Sequence, residues 1–155
     1  MQRRLVLLGA MLACAAGCSR FTAPTISVNE VSVIDATEEA LALSFVMGLE
    51  NPNQAAVPLH EFRYTVAING KEVYAGRRAG GVTLSAMGSR QVLLPAVVPY
   101  DKLGWSAEAL PASVSYTMTG QLQYIAPNRL AQILFDTGVR RPKVSFGSRG
   151  ELHLR

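Results

Sequence analysis

The side chains that could carry out catalysis or hold a metal ion are few and widely separated. The chain has two histidines, His60 and His153, and two cysteines, Cys14 and Cys18. A metal site or a catalytic pair needs such groups at close, matched spacings, for example two histidines one helical turn apart. Neither histidine has a partner at such a spacing. We therefore expect both histidines at the surface or at a strand edge.

Carboxylates and hydroxyls form no catalytic pattern either. Glu38-Glu39 is a single acidic pair, and Gly88-Ser89-Arg90 lacks the Gly-x-Ser-x-Gly spacing of a nucleophile elbow. No glycine-rich phosphate loop precedes a helix. The remaining aspartates stand alone in predicted turns, at Asp35, Asp101 and Asp136. The sequence thus predicts a protein that is not an enzyme and that uses no cofactor and no metal.

Residues 1–17 have the pattern of an export signal. A basic start at 1–4 precedes an apolar run at 5–14, and small residues follow at 15–17. The run is too short to span a bilayer as a stable helix, and this three-part order is typical of a secretory signal peptide. We therefore predict that residues 1–17 are a signal peptide.

The residues around Cys18 refine this prediction. Ala16 and Gly17 directly before Cys18 resemble the bacterial lipobox, although Ala15 stands where that pattern usually has leucine. The resemblance implies cleavage before Cys18 and acylation of its thiol and amine with chains such as palmitate, which suffice for stable anchoring. A residue other than aspartate at Ser19 implies the outer membrane of a bacterial envelope, facing the periplasm. A plain signal peptide is the alternative.

Without the leader, the charge of the chain is nearly balanced. The sequence has 15 Lys and Arg against 11 Asp and Glu, and losing Arg3 and Arg4 leaves 13 basic residues. A net charge of about +2 predicts no nucleic-acid partner. We expect residues 18–25 to form a short tether and 26–155 to form one domain, whose 49% hydrophobic content suits a globular fold.

The clearest structural signal is a pair of alternating strands, each of which is followed by residues that end it. Apolar residues at every second position from Leu41 to Leu49 predict a strand with one buried face. Asn51-Pro52-Asn53 ends it, because proline lacks the N–H that a ladder needs and asparagines satisfy loop backbone. A second alternating strand runs to Ile68. Asn69-Gly70 then predicts a tight hairpin turn.

The rest of the chain predicts further short strands. They include 26–34 with a bulge at Glu30, 71–74, 82–86, 91–98 and 113–125. Pro95 leaves open whether 91–98 ends near the proline or forms an irregular edge. Residues 143–154 form either a hairpin around 147–150 or one bent strand. About seven strands with frequent turns, and a short helix near 128–135, predict an all-β antiparallel sandwich of the fibronectin type III or immunoglobulin kind.

Several of these segments together resemble a known family. They are 50–53, 57–59, 64–70 and 73–76, followed by an apolar strand at 92–98, Tyr116 with Gly120 and Leu122, and the closing 150–152. This pattern resembles the WHy (water stress and hypersensitive response) domain of the group 2 (type 2) late embryogenesis abundant proteins, which are desiccation-related. The resemblance covers nearly the whole predicted domain.

The resemblance implies a folded sandwich that is associated with stress tolerance and lacks a catalytic centre. Bacterial members of this kind are often exported lipoproteins, in agreement with the leader. The expected function is thus protection of envelope components during water loss by a membrane-anchored domain. The alternative is an envelope adaptor that binds a protein or lipid partner through edge strands or the basic segment within 127–149. We expect a monomer.

One basic cluster stands out near the end of the sequence. It comprises Arg140, Arg141, Lys143 and Arg149. These residues could contact lipid headgroups or an acidic partner. They could equally form a charged strand edge that discourages pairing between molecules. The turn residues Asn51, Pro52, Asn53, Asn69 and Gly70 are expected to have structural roles.

Overall fold

The computed structural model describes residues 21–154. The predicted signal peptide, the predicted lipidation site Cys18 and Arg155 lie outside these residues. Two short 3₁₀ turns occur at Asp101–Leu103 and Ala107–Ala109. The regular elements, in chain order, are β1 (Thr25–Ala36), β2 (Ala40–Glu50), β3 (Val57–Ile68), β4 (Lys71–Ala79), β5 (Thr83–Leu84), β6 (Ser89–Pro99), β7 (Ser113–Tyr124), α1 (Arg129–Asp136) and β8 (Lys143–His153).

The smaller sheet has the order β1–β2–β6, with antiparallel neighbours. Its central strand, β2, forms because polar or small residues alternate with apolar ones that are at most 2% exposed: Leu41, Leu43, Phe45, Met47 and Leu49. The pairing of β1 with β2 shifts after Val28 and again after Val33. The first shift lies beside Glu30 and confirms the predicted bulge.

The larger sheet has the order β4–β3–β7–β8, and β5 pairs with the start of β3. The pairing of β8 with β7 is continuous from His153 opposite Ser113 to Lys143 opposite Gln123. The alternative of a terminal hairpin around 147–150 is therefore wrong. Gly147 and Gly150 look like turn residues in the sequence, yet each keeps a β7 partner, because the neighbouring strand supplies the register.

The inner faces of the two sheets form one core. It includes Phe45 of the smaller sheet and Phe62 and Met118 of the larger, each fully buried. Removing such a side chain from water stabilises the fold by about 1.5–3 kcal/mol. The architecture is the predicted antiparallel β-sandwich of the fibronectin type III or immunoglobulin kind, with the predicted short helix at α1.

Pro95 does not end β6. The strand continues to Pro99, with Pro95 opposite Ser44 of β2. Proline is tolerated there because β6 is an edge strand of its sheet. The hydroxyl of Tyr64, from β3 of the other sheet, donates a hydrogen bond to the Pro95 carbonyl. Of the two interpretations of 91–98, a strand that stops near the proline is wrong: the strand continues through Pro95 at an edge of its sheet, and its pairing with β2 is regular.

Two predicted boundaries are also wrong. The strand expected at 82–86 is only Thr83–Leu84, because the chain turns on both sides at Gly81 (φ 60°) and Met87 (φ 52°). The strand expected at 71–74 extends to Ala79. Its pairing with β3 continues as far as Ala79 opposite Glu61, past a register shift near Val66.

The two ends of the sandwich carry opposite charge. The near end, where β1 begins, comprises 21–24 and the loops 51–56, 80–82, 85–88 and 125–142. Its charged residues are Arg129, Asp136, Arg140 and Arg141, which sum to +2. The far end comprises the loops 37–39, 69–70 and 100–112. Its charged residues are Glu38, Glu39, Asp101, Lys102 and Glu108, which sum to −3.

Candidate functional surfaces

Asn51 is a buried hub at the near end, with 2% of its surface exposed. Its side-chain nitrogen donates to the carbonyls of Ala55, at 2.9 Å, and Ser85, at 2.8 Å. Its side-chain oxygen accepts from the backbone N–H of Asn53 at 3.0 Å, and its own N–H donates to Gly88 at 2.9 Å. A buried amide must be paired in this way to avoid a large desolvation cost. Asn51 therefore joins the 51–56 and 85–88 loops.

Asn53 ties the beginning of the described chain to the same hub. Its side-chain oxygen accepts from the backbone N–H of Thr22 at 2.8 Å, and its side-chain nitrogen donates to the Thr22 carbonyl at 2.7 Å. The Asn53 carbonyl accepts from the N–H of Met87 at 2.9 Å. Residues 21–24, part of the predicted tether, are thus held against the sandwich.

The Asn69-Gly70 turn lies at the far end. Both residues have positive φ, 49° and 80°, as a type I′ hairpin turn requires. The side-chain oxygen of Asn69 accepts from the backbone N–H and the hydroxyl of Ser115, each at 3.1 Å. These contacts link the turn to the first residues of β7 and determine the register of β3, β4 and β7.

The four basic residues near the end of the sequence divide into two groups in space. Arg140 and Arg141 lie at the near end, where the Arg140 N–H donates to Leu134 of α1 and the Arg141 guanidinium stacks 5.7 Å from the Phe135 ring. Lys143 begins β8. Arg149 lies six residues along that strand, about 20 Å away. Arg149 is therefore not part of the near-end group.

Asn128 caps the N-terminus of α1, and its side-chain oxygen accepts from the N–H of Ala131. The buried residue of the helix is Phe135, which packs edge-on against His60 at 4.8 Å between ring centres. By contrast, Leu130 and Ile133 are 65% and 59% exposed. The apolar spacing correctly predicts a helix, but it does not show that part of the apolar face remains in contact with solvent.

The outer face of the larger sheet carries an open groove of about 760 Å³. Arg63 and Arg77 lie opposite each other on neighbouring strands of its lining, and the hydrogen bond that the Arg63 guanidinium donates to Glu61 lowers the pKa of that carboxyl. Beside this arginine pair the face presents mostly small, hydroxyl and amide side chains: Thr65, Ala75, Thr119, Gln121 and Ser145. This surface offers hydrogen bonds in both directions but no nucleophile paired with a base.

The described residues bring no catalytic groups together. His60 lies near the start of β3 and His153 ends β8, so they occupy opposite ends of the larger sheet. Within residues 21–154 no three His, Cys, Asp or Glu side chains form a group that could hold a metal ion. In the same range, no helix is long and apolar enough to cross a bilayer.

Comparison with known proteins identifies the family. The family model described as Late embryogenesis abundant protein (LEA_2) matches residues 47–137, more than half of the chain. The chain belongs to the late embryogenesis abundant (LEA) type 2 family. Membership of this family indicates a water-stress-related, generally non-enzymatic protein. Among curated proteins, none matches the chain significantly.

Several solved structures share this fold, and one of them is described as a LEA protein. The solution structure of AT1g01470 from Arabidopsis thaliana has a TM-score of 0.63 and 22% identity, over 88% of this chain and 87% of that chain. A protein assigned to the LEA group, At2g46140.1, has a TM-score of 0.63 and 15% identity, over 85% and 71%. A protein from Archaeoglobus fulgidus has a TM-score of 0.55 and 12% identity, over 83% and 98%. At these identities the likeness concerns the fold.

Proposed function

We propose that this LEA type 2 protein is a membrane-anchored, non-enzymatic domain of the WHy kind that protects components of a bacterial envelope during water loss. The family match over residues 47–137 carries the stress-related part of the proposal. The leader pattern and Cys18 support export and acylation. The Asn51-Pro52-Asn53 and Asn69-Gly70 turns support the WHy assignment within the family.

The outer face of the larger sheet suits a protective role. Its hydroxyl and amide side chains, such as Thr119 and Gln121, can both donate and accept hydrogen bonds. Neighbouring proteins and lipid headgroups lose hydrogen-bond partners as water is withdrawn. A rigid sheet that offers such groups can replace part of that water without becoming disordered itself, because its own backbone bonds are satisfied within the sheet.

A drying experiment tests the protective function. Bacterial cells that produce the full chain are dried and rehydrated beside cells with an empty vector and cells with an unrelated lipoprotein at the same level. We expect higher survival and less leakage of a periplasmic enzyme with the full chain. Survival no better than with the unrelated lipoprotein would overturn the protective role.

Acyl labelling tests the anchor separately. Cells are supplied with a labelled palmitate analogue, and the full chain is compared with a Cys18→Ala variant. We expect label on the full chain and none on the variant, since the variant lacks the thiol. An unlabelled full chain would remove the anchor while leaving the protective function open to the drying experiment.

An adaptor function is the second candidate, and the exposed Leu130 and Ile133 on α1 favour it. Cross-linking in living cells separates the two functions. A single partner at a fixed ratio would support an adaptor, whereas contacts with many envelope components would support general protection.

A further inference from the structure

We propose that the near end of the sandwich is a membrane-docking face. Leu130, Ile133 and Val139 insert among lipid acyl chains, and Arg129, Arg140 and Arg141 contact anionic headgroups. The inference rests on the proposed function only for the acyl anchor at Cys18, and it adds the orientation that the domain adopts once anchored.

The exposed apolar side chains are concentrated at this end. Residues 21–154 include eight large hydrophobic side chains that are exposed, and three of them lie elsewhere: Ile34, Leu93 and Val97. The other five belong to the near end: Phe21 at 38%, Met87 at 70%, Leu130 at 65%, Ile133 at 59% and Val139 at 74% exposure. Scattered single residues of this kind are normal, but a group on one end of a domain marks a contact surface.

The helix α1 is more apolar than its packing requires. Phe135 is buried where the helix packs against the sandwich, and the neighbouring Leu134 is half-buried. Leu130 and Ile133, one turn apart, extend the apolar face beyond that contact and into solvent. A helix that packs only against its own domain needs a narrower apolar face.

Charge indicates the nature of the partner. The near end sums to +2 and the far end to −3, so the field of an anionic bilayer attracts the first and repels the second. Arg129 begins α1, while Arg140 and Arg141 follow it, so the arginines flank the exposed apolar residues. Apolar residues bordered by arginines are the usual composition of a helix that lies in the headgroup region.

The path of the chain leads to the same surface. Phe21 packs against Tyr124, with 5.8 Å between ring centres, and lines a cleft of about 300 Å³ with Leu130 and Leu134. Cys18 lies only three residues earlier, a reach of about 10 Å. Because Asn53 holds Thr22 against the sandwich, an acyl anchor at Cys18 would tether the domain by its near end.

A fluorescent probe in the anchored protein tests the orientation. The acylated chain, which begins at Cys18 after cleavage, is reconstituted into vesicles that contain phosphatidylglycerol. The probe is attached at Ile133→Cys or, as a matched control, at Ile34→Cys. The two parent side chains are 59% and 61% exposed, and Ile34 lies on β1 near the far end. We expect a water-soluble quencher to act about tenfold more weakly at position 133 and to act fully at position 34.

Vesicle flotation, measured on the same samples, separates docking from anchoring. A chain that floats while the 133 probe remains open to the quencher overturns docking and leaves the anchor intact. A chain that neither floats nor shields the probe overturns both. Shielding of the probe without stable flotation supports docking and counts against the anchor. Shielding already present before vesicles are added assigns the face to a second copy, and overturns the proposal.

Two pairs of substitutions test which side chains insert. The test variant carries Leu130→Asn and Ile133→Asn. Its matched control carries Leu93→Asn and Val97→Asn on β6. Both variants have the probe attached at Val139→Cys. Each inserted side chain contributes about tenfold to partitioning, so the first pair should abolish shielding and the second should not. Equal shielding in both pairs overturns the assignment. Vesicles of phosphatidylcholine alone should shield the probe less, and equal shielding there would overturn the role of the arginines.

Discussion

The side-chain nitrogen of Asn51 lies 2.8 Å from the carbonyl oxygen of Ser85, thirty-four positions along the chain. This contact joins the end of β2 to the loop before β6, and β3, β4 and β5 lie between the two residues along the chain. Replacing Asn51 with alanine leaves several buried backbone groups without a partner, so we expect a loss of about 2–4 kcal/mol in the free energy of unfolding. Urea denaturation measures it.

The matched control for this substitution is Gln54→Ala. Gln54 is exposed in the same loop, so its removal should change the free energy of unfolding by less than about 0.5 kcal/mol. Equal effects at the two positions would contradict the role of Asn51 as a hub.

Asn53→Ala should release the beginning of the chain while preserving the fold. The substitution removes both hydrogen bonds to Thr22, and exposed pairs of this kind contribute about 1 kcal/mol. We expect the Thr22 amide to exchange with deuterium about fivefold faster or more, with little change at β2 and β3. Unchanged exchange at Thr22 would show that Phe21 alone holds the segment.

Stability should fall at high pH because of Tyr64. Burial raises the pKa of the Tyr64 hydroxyl well above its ordinary value of 10.0, so the folded protein keeps this proton where the unfolded chain loses it. The contribution is fully present below about pH 10 and is lost as the pH rises further. Burial acts in the same direction on the pKa of Tyr124. Urea denaturation between pH 8 and pH 11 measures the slope, and Tyr64→Phe should reduce it.

Phe135→Ala should loosen α1 without unfolding the sandwich. The Phe135 ring joins the helix to His60 and Arg141, whereas both sheets close without it. We expect amides of residues 129–136 to lose protection from hydrogen exchange while the β2 and β3 amides remain protected. Ile133→Ala, at a solvent-exposed site, should leave the exchange pattern unchanged. A cooperative loss of protection in both sheets would show that α1 belongs to the core unit.

Local patterns predicted the strands and turns that depend on local chemistry. The alternation of β2, the stop at Asn51-Pro52-Asn53 and the turn at Asn69-Gly70 follow from side-chain period and backbone preference, and each is present. Glycines at 147 and 150 left the prediction for β8 open between a hairpin and one strand, since their β conformation depends on pairing with β7 rather than on their own preference. Pro95 likewise left two interpretations of 91–98 open, because the sequence does not show which strands lie at an edge.

The surfaces were less predictable than the fold. Arg140, Arg141, Lys143 and Arg149 are close in sequence, but an extended strand carries Arg149 away from the others. The grouping of Phe21, Met87 and α1 depends on loops that are distant along the chain and meet only because the strands end together. One sign was present in the sequence, namely an apolar face on 128–135 wider than a short helix can bury.

The order of strands in the two sheets also determines when the protein can fold. β2 must pair with β6, roughly fifty residues later, and β3 must pair with β7 at a similar separation. Neither sheet can close until most of the chain is available, and sandwiches dominated by such distant pairings fold in milliseconds to seconds. A chain built this way stays unfolded until most of it has been synthesised, which is the state that the proposed export of this protein would require.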